Sequence, residues 1–221
     1  RLAMRREESP YRTFTTLICN LPRNIQYLRK HFRLSPGQHV TSTPLWSDIS
    51  PVAVGPCGAV RNQHGLPLHR PIAIFGGQIT QGRGVEFMLE AARHAEAAGS
   101  PILFLFVGDG RLAKTVDQRA EESGNVRRLD GLPREDYLRL ATVCDVGMVA
   151  TVPGVSSFSF PTKTIDYLRA GLPVVAAVEP GNDYLDILTK WGVGSGVAFD
   201  DPEGYFRAAA ELLENSRFKA S

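Results

Sequence analysis

Residues Ile102 to Val107 read Ile-Leu-Phe-Leu-Phe-Val, with no polar position among them. A strand with one wet face alternates apolar and polar residues. A strand that never alternates is covered on both faces, as in the middle of a parallel sheet flanked by helices. The neighbouring segments supply the rest of such a sheet. Ile72 to Phe75 is a second buried run, followed by a glycine-rich loop from Gly76 to Gly84. Val85, Leu89 and Ala92 then recur at helical spacing, and Gly99 supplies the stop. Gly108-Asp109-Gly110 turns into a helix that ends near Gly124, and Val126 to Leu129 is a short strand leading to Gly131. Arg134 to Val143 reads as helix and Val146 to Ala150 as strand. A loop runs through Gly154 to Pro161. Lys163 to Ala170 is a short helix stopped by Gly171 and Pro173, and Pro173 to Val178 is a strand. Residues 182–190 and 202–215 read as helices, with Val193 to Phe199 extended between them. Strands and crossover helices in this rhythm define an α/β fold with a doubly wound parallel sheet. In such sheets ligands sit beyond the carboxyl ends of the strands, at a switch point. The loops after Phe75, Val107, Leu129 and Ala150 are therefore expected to face one crevice.

The first 70 residues have a different texture. Thr15 to Cys19 reads as strand, Arg23 to Phe32 as helix and His39 to Thr43 as strand. Residues 46–70 carry Pro51, Gly55, Pro56, Gly58, Gly65 and Pro67, the composition of a linker. The expected division is the end of a first domain at 1–45, a linker at 46–70, a ligand-binding domain at 71–200 and a terminal helix at 201–221. The chain opens on Arg rather than Met, so it is expected to begin inside a longer protein.

Composition removes several classes of function. At 43% hydrophobic and 22% charged residues the chain has a globular balance. No apolar run approaches the roughly 18 residues that a membrane helix needs, and Arg1 to Arg12 is basic with no apolar signal core. Cys19, Cys57 and Cys144 lack paired spacing, so a reducing, cytoplasmic setting is expected, with Cys19 and Cys144 in the core. His64 and His69 have no carboxylate or cysteine companions, so no metal site is expected. The net charge is +2, with Arg1, Arg5, Arg6, Arg12, Arg23, Arg29, Lys30 and Arg33 crowded at the start. The basic charge is local to this end, so a nucleic-acid partner is not expected. The helix at 21–34 puts Leu21, Ile25, Leu28 and Phe32 on one side. That stripe either lies on anionic lipid headgroups, which would make the protein peripheral at the inner face of the plasma membrane, or packs on its own domain.

Two constellations carry chemistry. In Phe160-Pro161-Thr162-Lys163-Thr164-Ile165-Asp166, Pro161 forces an extended entry and Thr162 stands at the expected N-cap. The amides of residues 163–165 then become donors at the positive end of a helix, an arrangement that suits phosphate. Lys163 adds a charge there. Asp166, at i+3, shares its face and suits the two hydroxyls of a ribose. The bland alternative makes Lys163 and Asp166 a solvated surface pair. The second constellation, Gly76-Gly77-Gln78-Ile79-Thr80-Gln81-Gly82-Arg83-Gly84, nearly fits GxxxxGK[ST] from Gly77. Arg83 stands in place of the lysine and Gly84 in place of the magnesium-holding hydroxyl, which excludes a P-loop ATPase. What remains is a glycine-rich loop with one cation, suited to a diphosphate, where Arg83 can bind two-pronged. Gly108-Asp109-Gly110 and Gly131-Leu132-Pro133 are weaker signals, each also readable as a plain turn.

Taken in order, the glycine loop with its cation, Phe-Val-Gly-Asp-Gly at 106–110, Asp-Gly-Leu-Pro-Arg-Glu-Asp-Tyr-Leu at 130–138, Cys-Asp-Val-Gly-Met at 144–148 and Phe-Pro-Thr-Lys-Thr-Ile-Asp-Tyr-Leu-Arg-Ala-Gly-Leu-Pro-Val-Val at 160–175 resemble the C-terminal domain of family-four, or group 1, glycosyltransferases. The resemblance runs from residue 71 to about 215. Residues 15–50, ending in Thr43-Pro44-Leu45-Trp46-Ser47-Asp48, resemble the end of that family's N-terminal domain.

The resemblance implies a GT-B fold of two facing Rossmann-like domains. The C-terminal domain binds a nucleotide sugar, the N-terminal one the acceptor, and the sugar is transferred with retention. It gives Arg83 and Lys163 the catalytic charges beside the diphosphate. Gln78 stands where the family places a further arginine, and Gly131 and Leu132 form the turn that holds the base. Asp166 matches the second of two paired carboxylates, and Phe158 stands in place of the first. Gly77, Gly108, Asp109, Gly110, Pro161, Thr162 and Thr164 complete the implied donor site. The Pro-Thr-Lys version resembles a subgroup of polysaccharide and lipid-linked glycan synthesis, so the partners implied are a UDP- or GDP-sugar and a glycan or lipid-linked acceptor. No metal or other cofactor is implied, because cations and a helix end can stabilise the departing diphosphate. Two alternatives stay open: a degenerate, non-catalytic nucleotide-binding partner subunit, favoured by Gln78 and Phe158, and a GT-B nucleotide-sugar epimerase.

Overall fold

The computed structural model describes residues 10–43, 47–48, 50, 52–151, 160–179 and 182–215. Its first unit is small. Strands β1 (Thr16–Cys19) and β2 (His39–Ser42) pair in parallel from Thr16↔His39 to Cys19↔Ser42, joined by helix α1 (Pro22–His31). Pro22 opens the helix, where its missing N–H costs nothing. Arg29, Lys30 and His31 close it, where positive charge suits the helix dipole. The helix stripe expected to choose between lipid and protein is covered by protein. Leu28 and Phe32 pack with Leu17 and Cys19, and Ile25 lies partly buried against them. Leu21 is fully buried in the core of the second unit.

The stretch read as linker is more regular than its glycines and prolines indicated. Cys57–Gln63 forms helix α2, and its Val60 joins the main core. Arg61 organises this segment. Its Nε donates to the Val143 carbonyl at 2.9 Å and its Nη1 to the carbonyls of Pro67, Leu68 and Arg70 at 2.9 to 3.2 Å. Its Nη2 pairs with Asp145 at 3.0 Å. Proline and glycine spacing could not reveal this, because the ordering partner lies 84 residues away.

The second unit is one parallel sheet with helices on both faces. Its elements are β3 (Ile72–Gly76), α3 (Val85–Ala97), β4 (Leu103–Val107), α4 (Ala113–Glu122), β5 (Val126–Leu129), α5 (Arg134–Ala141), β6 (Val146–Ala150), α6 (Lys163–Arg169), β7 (Val174–Val178), α7 (Tyr184–Trp191), β8 (Gly194–Ala198) and α8 (Pro202–Glu214). The strand order is β5-β4-β3-β6-β7-β8. The chain walks outward from β3, returns past it to β6 and walks the other way, so the switch point lies between β3 and β6. Successive residues of each strand point to opposite faces. Ala73, Phe75, Phe104 and Phe106 pack under α3, α4 and α8, while Ile72, Ile74, Leu103 and Leu105 pack under α2, α5, α6 and α7. Each large side chain buried this way contributes about 1.5–3 kcal/mol. The apolar run of β4 is thus dry on both faces.

The two central strands separate early. β3 pairs with β4 over five residue pairs, but with β6 only at Ala73↔Val146 and Ile74↔Gly147. Tyr167, from α6, fills the gap. Its hydroxyl accepts the Gly76 N–H at 3.4 Å and donates to the Met148 carbonyl at 3.1 Å. The ring occupies the space above Gly147, where any Cβ would collide with it. The two backbone groups that a ladder would have paired are satisfied by one phenol. The opening this creates faces the carboxyl ends of the strands.

Candidate functional site

Two adjoining hollows lie over that opening. One, of about 450 Å³, is lined by Ser47, Gly76, Gly77, Gln78, Arg83 and the first turn of α6. The other, of about 570 Å³, runs over Val107, Gly108 and Asp109 to Gly131, Leu132 and Tyr137. They share Gly76, Gly77, Gln78, Arg134 and Asp166, so they form one crevice with two lobes. Each volume lies in the range of small-molecule sites.

The glycines let backbone line this crevice. Gly108 has φ 145°, and a Cβ there would run into the Gly77 carbonyl oxygen. Only glycine lets the loops after β3 and β4 touch. Gly110 serves the same contact a step outward, against Ile79, and does not line either lobe.

Asp109 and Gly131 are joined directly. One Asp109 oxygen accepts the Gly131 N–H at 3.1 Å and the other accepts from Arg128 at 3.1 Å. Arg128 also binds the Gly108 carbonyl, Asp117 and Asp130. Hydrogen bonds to Asp117 and Asp130 hold the guanidinium pKa above its ordinary value. Asp109 therefore stiffens the turn at Gly131 and Leu132, which forms the wall of the second lobe.

The first turn of α6 differs from the sequence expectation in three ways. Thr162 stands at the N-cap position, but in helical geometry and without a side-chain cap bond. The helical turn therefore starts one residue early, and the Thr164 and Ile165 amides bond back to the carbonyls of Pro161 and Thr162 at 3.0 and 3.1 Å. They are not open donors. Thr164 itself is fully buried, its hydroxyl 2.5 Å from that of Tyr184, and it lines neither lobe. Its position at i+1 from Lys163 turns it to the core side of the helix. Pro161 shapes the entry without lining the crevice.

Lys163 and Asp166 are not a solvated pair. The Lys163 ammonium sits over the Phe75 ring, 3.7 Å from its centroid, on the floor of the first lobe. Burial, with the Arg83 charge nearby, pulls its pKa from the usual lysine value to about 7. Asp166 is held by Arg134, with Nη2 2.6 Å from one oxygen and Nη1 3.3 Å from the other. Gln78 lines both lobes from an exposed position, and Arg83 is exposed at the rim of the first. Sequence reading missed Arg134, Tyr137, Tyr167 and Ser47 as site residues. Arg134 was visible as a cation at a helix start, where the dipole disfavours it. Phe158 lies outside the described residues. Among the described residues no group of three or more His, Cys, Asp and Glu side chains could hold a metal ion, and no helix is long and apolar enough to cross a membrane.

A doubly wound sheet with a two-lobed, cation-bearing crevice at its switch point defines the class: a Rossmann-like domain with a small-molecule site at the carboxyl ends of its strands. The family profile of glycosyl transferases group 1 matches residues 70–215, and the chain belongs to that family. Among curated relatives, the putative colanic acid biosynthesis glycosyl transferase WcaI of Escherichia coli is 28% identical over 148 residues, 64% of this chain and 36% of that protein. A D-inositol 3-phosphate glycosyltransferase of Mycolicibacterium paratuberculosis is 30% identical over 170 residues, 75% of this chain and 37% of that protein. The chain thus spans little more than a third of these relatives' lengths. Among solved structures, Anabaena HepE in complex with UDP and glucose superposes with a TM-score of 0.75 at 16% identity, over 98% of this chain and 59% of that one. WaaG, a glycosyltransferase involved in lipopolysaccharide biosynthesis, gives 0.69 at 18% identity, over 92% of this chain and 55% of that one. At these identities the structural likeness establishes the fold, the Rossmann-like half of a GT-B fold expected from the motifs.

Proposed function

We propose that this chain is the donor-binding part of a retaining glycosyltransferase of polysaccharide or glycolipid synthesis, taking its sugar from UDP or GDP. The observation that carries the reading is the pair of cations, Lys163 on the floor and Arg83 on the rim of one lobe. Among the described residues neither forms an ion pair with a carboxylate. A diphosphate in that lobe would meet both. When the glycosyl bond breaks, negative charge grows on the departing diphosphate, and cations already in place stabilise it without reorganisation. The second lobe, walled by Leu132 and Tyr137 with the Gly131 turn, suits a base, and Asp166 between the lobes suits the ribose. No metal is required by this arrangement of charges. The proposed acceptor is a glycan or a lipid-linked glycan, held largely by residues outside this chain.

Thermal shift against UDP, GDP and ADP tests the reading. One nucleoside diphosphate should raise the unfolding temperature, and Lys163→Ala and Asp166→Ala should each remove the shift. No response to any of the three would favour the non-catalytic alternative to which Gln78 points. Retention is read from the anomeric configuration of the product made by the full-length enzyme. Peripheral membrane contact, with the apolar stripe of α1 covered, would rest on the exposed basic residues Arg23, Arg29, Lys30 and Arg33. Liposome sedimentation with those four neutralised should lose binding to anionic vesicles.

A further inference from the structure

Arg134 lies within the Asp-Gly-Leu-Pro-Arg-Glu-Asp-Tyr-Leu segment at 130–138 without a role of its own assigned from the sequence, yet it lines both lobes of the crevice. It is the first residue of α5, where the helix dipole disfavours a cation, so its placement needs an anionic partner. That partner is Asp166, gripped through two nitrogens on two oxygens. The two side chains are unequally framed. Asp166 is 15% exposed and Arg134 is 60% exposed. Among the described residues no other side chain bonds to the Asp166 carboxylate. Without Arg134 the carboxylate would be free to rotate about its side-chain torsions.

A carboxylate offers about four acceptor positions on its two oxygens. The guanidinium takes one on each, which leaves one on each. Two remaining acceptors, spaced as the oxygens of one carboxylate, match two neighbouring hydroxyls on a sugar ring. The grip also costs little in access, because Arg134 approaches from the exposed end of α5.

We propose that Arg134 is a positioning residue for nucleoside recognition. It fixes the Asp166 carboxylate so that both oxygens meet the ribose hydroxyls, and it thereby sets the preference for ribonucleotides over deoxyribonucleotides. The inference rests on reading the crevice as a nucleoside diphosphate site, and the test separates the two.

Calorimetric titration of the full chain with UDP, 2′-deoxy-UDP, GDP and 2′-deoxy-GDP gives a ribo-to-deoxy affinity ratio for the base that binds. A lost hydrogen bond to a charged acceptor corresponds to a ratio of about tenfold or more. Asp166→Ala should bring the ratio to unity. Arg134→Ala should do nearly the same, and Arg134→Lys, which keeps charge but not the two-pronged grip, should recover only part of it. Unfolding temperatures of the three variants report whether each is folded. A uniform weakening through lost positive charge cancels in the ratio. The proposal is overturned if Arg134→Ala keeps the wild-type ratio, as a simple phosphate-binding cation would. It is equally overturned if the variant binds the ribonucleotide more tightly, because Arg134 would then be a cover over Asp166. If the wild-type chain binds none of the four nucleotides, the reading of the crevice itself has failed.

Discussion

Two cations are withdrawn from water at opposite ends of the same sheet, and the protein treats them differently. Arg61 lies below the amino ends of the strands and is 5% exposed. It is bonded to four backbone carbonyls and to Asp145. Lys163 lies at the carboxyl ends against an aromatic face, with the Arg83 cation close enough to disfavour its charge. Withdrawing a charge from water is costly unless it is paired and hydrogen-bonded. At the lower end the fold supplies that compensation itself, and the product is rigidity: α2 and the segment before β3 are tied to the sheet. At the upper end the proposed function leaves compensation to a ligand, and the cost would then become a source of affinity for an anion. A buried charge with complete partners marks structure, and one without is a candidate for binding an anion.

The largest effect is expected where compensation is internal. Arg61→Met would take this donor from four carbonyls and leave the Asp145 carboxylate with the Ile72 N–H, so chemical denaturation should show a loss of about 3–5 kcal/mol. A loss below about 1 kcal/mol would mean that the contacts contribute little net stability. Lys163→Met should behave in the opposite way. Folding stability should stay level or rise, because a desolvated charge is removed, while nucleoside diphosphate affinity falls about ten- to a hundredfold. If stability and affinity fall together, the contrast with Arg61 is broken.

The pH response sharpens the same point. The folded-state pKa of Lys163 is depressed to about 7 from 10.5. Between these values the unfolded chain binds the proton and the folded chain does not, so stability should rise with pH across that window and level off above it. A bound diphosphate should restore the charge. Binding at pH 8 should then take up a proton, visible as a buffer-dependent enthalpy that vanishes in Lys163→Met. Smallest is the effect of Thr164→Ala. The loss of its bond to Tyr184 should cost about 1 kcal/mol and leave nucleotide affinity unchanged. Weakened affinity with unaltered stability would return Thr164 to the crevice.

The sequence by itself determined the succession of strands and helices, the parallel sheet and the loops that form the crevice. Those properties rest on periodicity and on glycine and proline, which act within a few residues of chain. The dry strand at 102–107, the glycine loop and the Pro-Thr-Lys turn were therefore legible, and Arg83, Lys163 and Asp166 were recognisable as groups suited to a nucleotide. Tertiary structure alone decided which partner each polar group met. Asp166 finds Arg134 across 32 residues, Arg61 finds Asp145 across 84, and Tyr167 reaches Gly76 across 91 to close the gap between β3 and β6. Local spacing placed Thr164 beside Lys163 but not the direction each would face, since adjacent helix residues point about 100° apart. The pattern of the chain thus locates the crevice. The packing of segments distant in sequence determines which charges in it are paired with a carboxylate and which are not.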